Sequence, residues 1–550
     1  MYELHFHSRR SPVFGTRGMV AASQPLAVAA GLEILSRGGN AADAAVATAA
    51  ALNVAEPTST GLGGDCFVLY YEAGTGKVSA LNGSGRAPAG LTLERLKLEG
   101  FDREIPPYHP FTITVPGACA AWCDLTERHG KLSMNTILEP AIRLAEQGFP
   151  VAPITAYFWD RGVQRQLSTS PGGLELTIDG RSPRPGEIFR NPGLACTLRK
   201  VAEEGKPAFY QGEIAEAIAN IVQTSGGCLT VDDLAAHHST WEEPISTTYG
   251  GVRIWECPPN GQGLAALLAL NILEDFDLAV LDPLSARRLH LEIEAMRLAF
   301  ADARWYVADA KFNQIPIQAL LSKDYAAERR NLINPSRATL DQLRGAPFTS
   351  SDTVYLSVMD GLGNACSFIN SNYMGFGTGI VPAGWGFSLQ NRGHSFSLDP
   401  THPNSLAPGK RPYHTIIPAM ATRALPESKI TGNTKEEIFA SFGVMGGFMQ
   451  PQGHLQVVIA LVDDQIDPQA ALDRPRFCIT QGTADGNVAL EEGIPIQEMS
   501  ALADMGHSII PVSGHGRAVF GRGQIILRDV NTSVLWGGSD PRADGCAMTY

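Results

Sequence analysis

Residues 352–360, DTVYLSVMD, predict a buried strand that begins abruptly at a threonine, Thr353. Polar residues at 349–351 precede this strand. A threonine hydroxyl becomes an effective nucleophile when a base lies beside it, and cleavage of the chain before Thr353 would supply that base as a new α-amine. Because an α-amine titrates near pH ~8, it can accept a proton at neutral pH. The stretch therefore suggests a self-activating amide hydrolase, although threonine is also common in ordinary strands.

A second informative segment lies far downstream, Gly443-Val444-Met445-Gly446-Gly447. Adjacent glycines leave their backbone N–H groups accessible, and such donors can stabilise the oxyanion of an acyl-transfer reaction. The same glycines are also typical of a plain turn. From these residues alone both interpretations stay open.

The composition is that of a large globular protein without a charged partner surface. Of the 550 residues, 44% are apolar and 18% are charged, which allows a large buried core. The net charge of −13 and the lack of a long basic run argue against nucleic acid and anionic membrane partners. No apolar run approaches the ~20 residues that a membrane span needs.

The cysteines and the first residues favour a cytoplasmic protein with reduced thiols. The nine cysteines are scattered and odd in number, and residues 1–10 contain no apolar signal segment. No cysteine or histidine pattern has metal-ligand spacing, so we expect neither a metal nor a cofactor.

The periodicity predicts a layered protein of helices and sheets, an α/β or α+β domain. A first helix is expected after a cap at Ser23, with Gly38-Gly39 ending it. The other predicted elements are a helix over Ala41–Asn53 capped by Asn40, a hairpin over 66–71 and 77–81, a helix over 285–311, strands over 353–359 and 365–370, a short apolar run at 416–420, a helix over 453–461 and a hairpin over 524–528 and 533–536.

Several separated segments carry one resemblance. They are Gly38–Ala44, Thr60–Gly64, Glu294–Ala299, Phe376–Ile380, Lys410–Pro412 and Gly446-Gly447. Together these segments resemble the γ-glutamyltranspeptidase family of N-terminal-nucleophile hydrolases, in the right order and from Gly18 to Gly545.

The resemblance implies an α+β fold, a four-layer αββα sandwich made as a precursor. It implies self-cleavage between Asp352 and Thr353, giving a large subunit of residues 1–352 and a small subunit of residues 353–550. The fragments would remain together as an αβ heterodimer in one intertwined domain. Further assembly of that heterodimer is left open, and no cofactor or metal is implied.

The resemblance also assigns the catalytic residues. Thr353 would be the nucleophile that carries an acyl group, and the amides of Gly446 and Gly447 would form the oxyanion hole. Ser371 falls where the family usually has a threonine whose hydroxyl orients the nucleophile's amine. A loop serine with local hydrogen bonds is the alternative for Ser371.

The residues by which the family binds a γ-glutamyl group are replaced in this chain. Ser84 stands where the family has the arginine that clamps the α-carboxylate. Tyr373 replaces an asparagine, and the pair His414-Thr415 replaces two serines. Arg392 and Ser395 align with the glutamine and aspartate that hold the α-carboxyl and α-amine.

These changes predict a substrate pocket for a carboxylate without a nearby amine, as in a divergent subgroup that includes oxamate amidohydrolase-like proteins. The alternative interpretation is that Arg392 and Arg86 are surface or structural arginines and that His414 is a histidine of the core. The predicted substrate-binding residues are Arg86, Tyr373, Arg392, His414 and Thr415.

The leading hypothesis is thus an N-terminal threonine hydrolase or acyl transferase acting on a small-molecule amide. Glutathione and other γ-glutamyl compounds are one substrate class, and a small acidic amide such as oxamate is the rival. Acylase activity on a β-lactam side chain is a third option. A different class stays open as well, an uncleaved relative that binds without catalysis.

Overall fold

The protein is described by a computed structural model over residues 10–340, 353–424 and 436–550. Asp352, half of the predicted cleavage site, lies outside the described residues.

The strands within these ranges run from the first described residues to the last. They are β1 (Val13–Gly15), β2 (Gly18–Ala22), β3 (Asp65–Glu72), β4 (Lys77–Gly83), β5 (Phe149–Pro150), β6 (Ile188–Phe189), β7 (Thr240–Glu242), β8 (Ile245–Tyr249), β9 (Val252–Glu256), β10 (Val354–Asp360), β11 (Ala365–Ser371), β12 (Ala419–Ala424), β13 (Glu436–Met445), β14 (Phe477–Ile479), β15 (Val488–Glu491), β16 (Ile509–Val512), β17 (Arg522–Arg528), β18 (Leu535–Ser539) and β19 (Cys546–Thr549).

The helices of the described ranges cluster before β10 and after β13. They are α1 (Pro25–Ser36), α2 (Ala41–Ala55), α3 (Leu93–Leu98), α4 (Ala118–His129), α5 (Met134–Gln147), α6 (Pro153–Gly162), α7 (Pro192–Glu204), α8 (Lys206–Tyr210), α9 (Gly212–Thr224), α10 (Val231–Ala235), α11 (Gly263–Leu273), α12 (Ala286–Tyr306), α13 (Ile317–Leu320), α14 (Lys323–Arg330), α15 (Met449–Val462), α16 (Pro468–Asp473) and α17 (Ile496–Asp504).

Two seven-stranded sheets form the centre of the protein. The first has the order β19-β2-β10-β11-β3-β4-β7, and the second has the order β1-β18-β17-β13-β12-β9-β8. All neighbours in both sheets are antiparallel. Strand β10 is therefore flanked by a strand from the chain's beginning and by its own hairpin partner.

Three apolar clusters show how the layers stack. One lies between the outer face of the first sheet and α1, α2, α4 and α5, and another lies between the outer face of the second sheet and α11, α12 and α15. The third contains residues from both sheets, including Met19, Tyr355, Met420 and Ile526. Helices thus cover both outer faces of two stacked sheets, which confirms the predicted α+β four-layer sandwich.

The inner faces of the two sheets also share a polar contact. Tyr355 Oη lies 2.7 Å from Ser367 Oγ, and Ser357 Oγ donates to Ser441 Oγ across the sheets at 2.7 Å. Both contacts satisfy buried hydroxyls. The Ser357–Ser441 bond joins β10 to β13 and so links the two sheets.

The predicted helix over Ala41–Asn53 is confirmed and ends at Ala55. The Asn40 side chain accepts from the N–H groups of Ala42 and Asp43, and Asp43 accepts from the Asn40 N–H, a reciprocal cap. Every residue of this helix is buried, which is why its faces are nearly all alanine.

The predicted cap of the first helix is wrong. The helix begins at Pro25 after Gln24, and Gln24 makes no side-chain cap. Ser23 Oγ instead donates to the buried Glu56 carboxylate. Burying a carboxylate without hydrogen-bond donors is costly. The helix end depends less on a side-chain cap, because proline at its first position has no N–H group to satisfy.

Other boundaries differ from the sequence expectation because tertiary contacts set them. The helix expected over 285–311 ends at Tyr306, and the one expected over 453–461 begins at Met449. Of the apolar run at 416–420, only the last two residues belong to a strand, β12. Gly443, Val444 and Met445 belong to β13, so the polar segment predicted there is restricted to the glycine pair that follows.

Every helix in the described ranges is too short or too polar to pass through a lipid bilayer. All nine cysteines are free thiols.

Candidate active site

Thr353 lies where the ends of several strands meet. It directly precedes β10, whose first pair with β11 is Val354 with Asn370, so Ser371 lies opposite Thr353. Thr353 Oγ1 is 3.1 Å from Ser371 Oγ, and both residues are fully buried. The next strand, β3, pairs Asp65 with Ser371. The hydroxyl pair that the sequence predicted is therefore a direct contact.

The glycine pair follows β13 on the facing sheet. Gly446 has φ 135° and Gly447 has φ 61°, conformations that favour glycine. The hydrogen bonds within the described ranges include no acceptor for either N–H group. The carbonyl of Gly447 accepts from Gln262 Nε2 at 2.8 Å, which holds the turn in place. This arrangement leaves two amide donors available at the end of β13.

Arg392 is the central charge of the site. Its Nη2 donates to Ser371 Oγ at 3.3 Å and its Nη1 donates to Thr415 Oγ1 at 2.8 Å. The guanidinium lies over the ring of Tyr373, 4.1 Å from the ring centre. Arg392 is fully buried, and no carboxylate of the described chain forms an ion pair with it. Burial lowers the pKa of Arg392 to about 10, so the group is still a cation at neutral pH.

Two polar atoms of this cluster have no hydrogen-bond partner among the described residues. They are Tyr373 Oη and Arg392 Nε, and both residues are fully buried. Tyr373 also has φ 81°, a strained value for a residue with a side chain. Burial raises the pKa of Tyr373, so its hydroxyl is protonated and can donate. Strained backbone and unpartnered buried donors are features that a bound ligand can compensate.

Asp65 is the acid closest to this cluster, and its oxygens are already used. Oδ1 accepts from the Gly85 and Gly117 amides and from Gln390 Nε2, at 2.9, 3.2 and 2.9 Å. Oδ2 lies 2.9 Å from His414 Nε2. Burial, with a smaller contribution from Arg392, lowers the pKa of His414 to about 3, so the ring is neutral and donates to Asp65.

Thr415 links the arginine to the glycine turn. Its hydroxyl accepts from Arg392, and its carbonyl accepts from Gln262 Nε2 at 2.7 Å. Because Gln262 also holds the carbonyl of Gly447, one side chain positions both Thr415 and the glycine turn.

The predicted residues divide into a cluster and an outlier. The structure brings Thr353, Ser371, Tyr373, Arg392 and Thr415 into one group, with Gly446-Gly447 joined to it through Gln262 and His414 through Asp65. Arg86 lies apart, because its guanidinium is half-buried and donates to the carbonyl of His238 at 3.2 Å.

Ser84 and Ser395 align with residues by which the family binds the α-carboxyl and α-amine groups, but in this chain both hydroxyls form hydrogen bonds to nearby residues. Ser84 Oγ donates to Asn82 Oδ1 at 2.7 Å, and Ser395 Oγ lies 2.7 Å from the carbonyls of Arg392 and Tyr413. Neither hydroxyl replaces the charge of the family's residue.

Sequence reasoning missed Asp65 and Gln262. Asp65 follows the glycines at 61–64 directly, and an acid at the start of an otherwise apolar strand is a usable signal. Gln262 lies between two glycines in a loop without a recognisable motif. The two carbonyls that it holds are more than 150 residues away in sequence.

One further group of described residues has the side chains of a metal site. His290, Glu294 and His507 place their ligand atoms within 4.8 Å of one another. His290 Nδ1 lies 2.8 Å from His507 Nε2, and Arg297 Nη2 lies 3.5 Å from the other His507 nitrogen. A neighbouring guanidinium opposes a cation, so this group is better described as a buried hydrogen-bond chain.

Comparison with known proteins gives consistent similarities. The family model described as gamma-glutamyltranspeptidase matches residues 27–550. The chain is 36% identical to the glutathione hydrolase-like YwrD proenzyme of Bacillus subtilis (strain 168), over 98% of this chain and 99% of that protein. It is 33% identical to the oxamate amidohydrolase proenzyme of Klebsiella pneumoniae, over 97% of this chain and 99% of that protein. The crystal structure of cephalosporin acylase from Bacillus halodurans has 46% identity and a TM-score of 0.90, covering 100% of this chain and 98% of that chain.

Proposed function

Because the chain belongs to the gamma-glutamyltranspeptidase family, we propose that it is a self-processing amidohydrolase with Thr353 as its nucleophile. The chain is a hydrolase of that family with an N-terminal-nucleophile fold. The proposal adds the nucleophile, the cleavage before it, and a substrate class. It is supported by the contact of Thr353 with Ser371 and by relatives whose names describe proenzymes.

The first step would be cleavage of the chain's own peptide bond. Thr353 Oγ attacks the carbonyl carbon of Asp352, the carbon–nitrogen bond breaks, and the hydroxyl proton passes to the freed amine. Water then hydrolyses the resulting ester, releasing residues 1–352 and leaving Thr353 with a free α-amine. In the uncut chain Thr353, Ser371 and Arg392 are all fully buried. Cleavage would thus supply the base and also open the site.

In the cut enzyme the same oxygen would attack the substrate amide. The α-amine takes the hydroxyl proton and later delivers it to the leaving amine, while Ser371 Oγ orients the nucleophile. The Gly446 and Gly447 amides stabilise the oxyanion, and loss of one such donor typically costs ~10²–10³ in rate. Water, or a second amine, then releases the acyl group.

The charge balance around Arg392 supports a substrate with an acyl carboxylate and no neighbouring amine. Burying a guanidinium without an anion is unfavourable, so an acyl carboxylate bound there would be stabilised strongly. The nearby acid, Asp65, already accepts from four donors and cannot also bind an ammonium group. This observation carries the proposed substrate class.

The acyl chain should be short. Only one hydroxyl, that of Ser371, separates the Thr353 oxygen from the Arg392 guanidinium. A carboxylate that is bonded directly to the scissile carbonyl or lies a few carbons from it fits this spacing. Oxamate, which the name of one relative specifies, is of the first kind. A glutathione-type substrate is the second candidate, because another relative is named glutathione hydrolase-like.

An intact mass spectrum of the purified protein under denaturing conditions tests the first half of the proposal. We expect two fragments that meet between Asp352 and Thr353, and a single full-length mass for Thr353→Ala with no amidase activity. Thr353→Ser keeps a hydroxyl and should still be cut. A Thr353→Ala variant that hydrolyses amides at the wild-type rate would show that another nucleophile acts.

A substrate panel tests the second half. Oxamate and succinamate should be hydrolysed with a higher kcat/KM than a γ-glutamyl anilide. The opposite order would favour the glutathione-type candidate. A single uncut mass with no activity on any amide would favour the non-catalytic alternative.

A further inference from the structure

A groove opens beside Gly446. It has a volume of about 480 Å³. One wall consists of helix α6 and the turn that follows it, and the other contains Phe448 and the segment 514–520. Gly446, one of the two proposed oxyanion donors, is therefore part of the groove wall.

The groove is cationic and aromatic. Arg161 and Arg165 line it together with Tyr108, Phe158 and Phe448, and no acidic residue of the described chain is part of its wall. Neither arginine forms an ion pair with a described carboxylate. The groove thus combines apolar surface with two uncompensated positive charges.

Arg161 is held by a side-chain contact, whereas the side chain of Arg165 is exposed on a turn that is itself fixed. Arg161 donates to the hydroxyl of Tyr157 at 3.3 Å, and the Tyr157 ring is stacked on His515 with ring centres 4.4 Å apart. The π-helical turn 163–167 carries Arg165, and its Gln166 donates to the carbonyls of Met374 and Gly377 at 2.7 and 2.5 Å. The cationic wall is therefore joined directly to the loop that follows Tyr373.

We propose that this groove is the leaving-group subsite, and that Arg161 and Arg165 select amides whose amine half carries a carboxylate on an aromatic or apolar body. The inference rests on the proposed function. The acyl half would be held in the enclosed site at Arg392, whereas the amine half must leave before water attacks the acyl-enzyme. The groove is the open space that meets the oxyanion glycine, so it fits the half that departs.

Two anilides with the same acyl group test this inference. The amines are 4-nitroaniline and 3-carboxy-4-nitroaniline, and the acyl group is whichever of oxalyl, succinyl and γ-glutamyl the cut enzyme hydrolyses fastest. The measured quantity is the ratio of kcat/KM for the carboxylated anilide to that for the neutral one. The wild-type ratio should exceed one and should fall as salt is added, because screening weakens the attraction.

Arg161→Gln and Arg165→Gln should each lower that ratio by about fivefold, and the double variant should lower it further, with the neutral anilide nearly unaffected. Arg184→Gln, which removes an exposed charge outside the groove, should leave the ratio unchanged. A double variant that keeps the wild-type ratio while cleaving the neutral anilide would overturn the subsite and leave the proposed function standing. If the cut protein hydrolyses oxamate or succinamate but neither anilide, the subsite fails and the proposed function stands. If it hydrolyses none of these amides, both fail.

Discussion

The guanidinium of Arg392 connects two hydroxyls and an aromatic ring without an acidic partner in the described chain. Such a group determines what can bind beside it, because an anion supplies the missing charge and a second cation is repelled. Arg392, one of the positions that the family alignment marked as a departure, is thus the residue that we propose selects the substrate.

Replacing this arginine should separate substrate recognition from folding. Arg392→Gln is expected to lower kcat/KM for a short carboxylate amide by roughly 30-fold or more, since truncating one partner of a buried charge pair is costly. Arg86→Gln is the matched control, because it removes the same charge from a residue that contacts His238. Comparable losses in both variants would instead place Arg86 in the pocket, as the sequence suggested.

The buried His414 should make stability depend on acid pH. Its folded pKa is about 3, whereas an unfolded histidine titrates near ~6.5. Between these values the unfolded chain binds the extra proton, so stability is fully present above pH ~6.5 and falls as the pH is lowered.

His414→Gln keeps a donor for Asp65 and removes this titration. The slope of unfolding free energy against pH should fall by at most ~1.4 kcal/mol per pH unit in the acidic range, measured by urea denaturation from pH 7 to pH 4. An unchanged slope would mean that His414 titrates normally in the folded protein.

Among the elements, β13 and β10 determine where the nucleophile lies. Gly443 of β13 lies against the ring of Tyr355 in β10, and a Cβ there would be 2.5 Å from a ring carbon. The close approach brings the strand that starts after Thr353 onto the strand that ends before Gly446. Thr353 and the amides of Gly446 and Gly447 are thus positioned by one pair of facing strands.

Adding a methyl group at this contact should disturb both stability and processing. Gly443→Ala is expected to destabilise the protein by ~1–3 kcal/mol and to slow cleavage before Thr353, because overpacking shifts β10. Thermal unfolding and the cut fraction by mass spectrometry measure the two effects. Gly74→Ala is the control, since a Cβ at Gly74 meets no atom within 4 Å. Equal behaviour of the two variants would show that the contact has no such role.

At the scale of the whole molecule, the segments before and after residue 352 are interleaved. The first sheet takes β2, β3, β4 and β7 from before the predicted cut, and β10, β11 and β19 from after it. The second sheet is mixed in the same way, and the buried pair Arg522–Glu56 crosses between the two parts at 3.3 Å. Neither part on its own retains either of the two seven-stranded sheets.

The two fragments should therefore stay together after cleavage. Size-exclusion chromatography without denaturant should give one peak containing both fragments, and a denaturing mass spectrum of that peak should give two masses. Separation of the fragments in native buffer would contradict the interleaved arrangement. The elution volume also shows whether the heterodimer assembles further.

The sequence predicted much of the fold because local signals coincide with its key elements. The buried runs of β10 and β11, the turn between them and the Asn40 cap of α2 each depend on residues close together in the chain. Strands β2 and β19 gave no comparable signal, since they are short and their pairing joins Ala22 to Cys546. Thr353 and the pair Gly446-Gly447 were candidates from their local sequence, with a plain structural alternative for each. The family resemblance favoured the catalytic interpretation and added Ser371.

What the sequence determined by itself is a layered protein of helices and sheets and, through the family resemblance, the α+β sandwich and a threonine beside a second hydroxyl, because periodicity and family motifs are local. Only the tertiary structure decided which charges meet there. It buried Arg392 without an acid, filled the oxygens of Asp65, turned Arg86 toward His238 and aligned Arg161 with Arg165 along a groove. The balance of charge in a pocket depends on side chains that are distant in the chain, and their approach is fixed only when the two sheets pack.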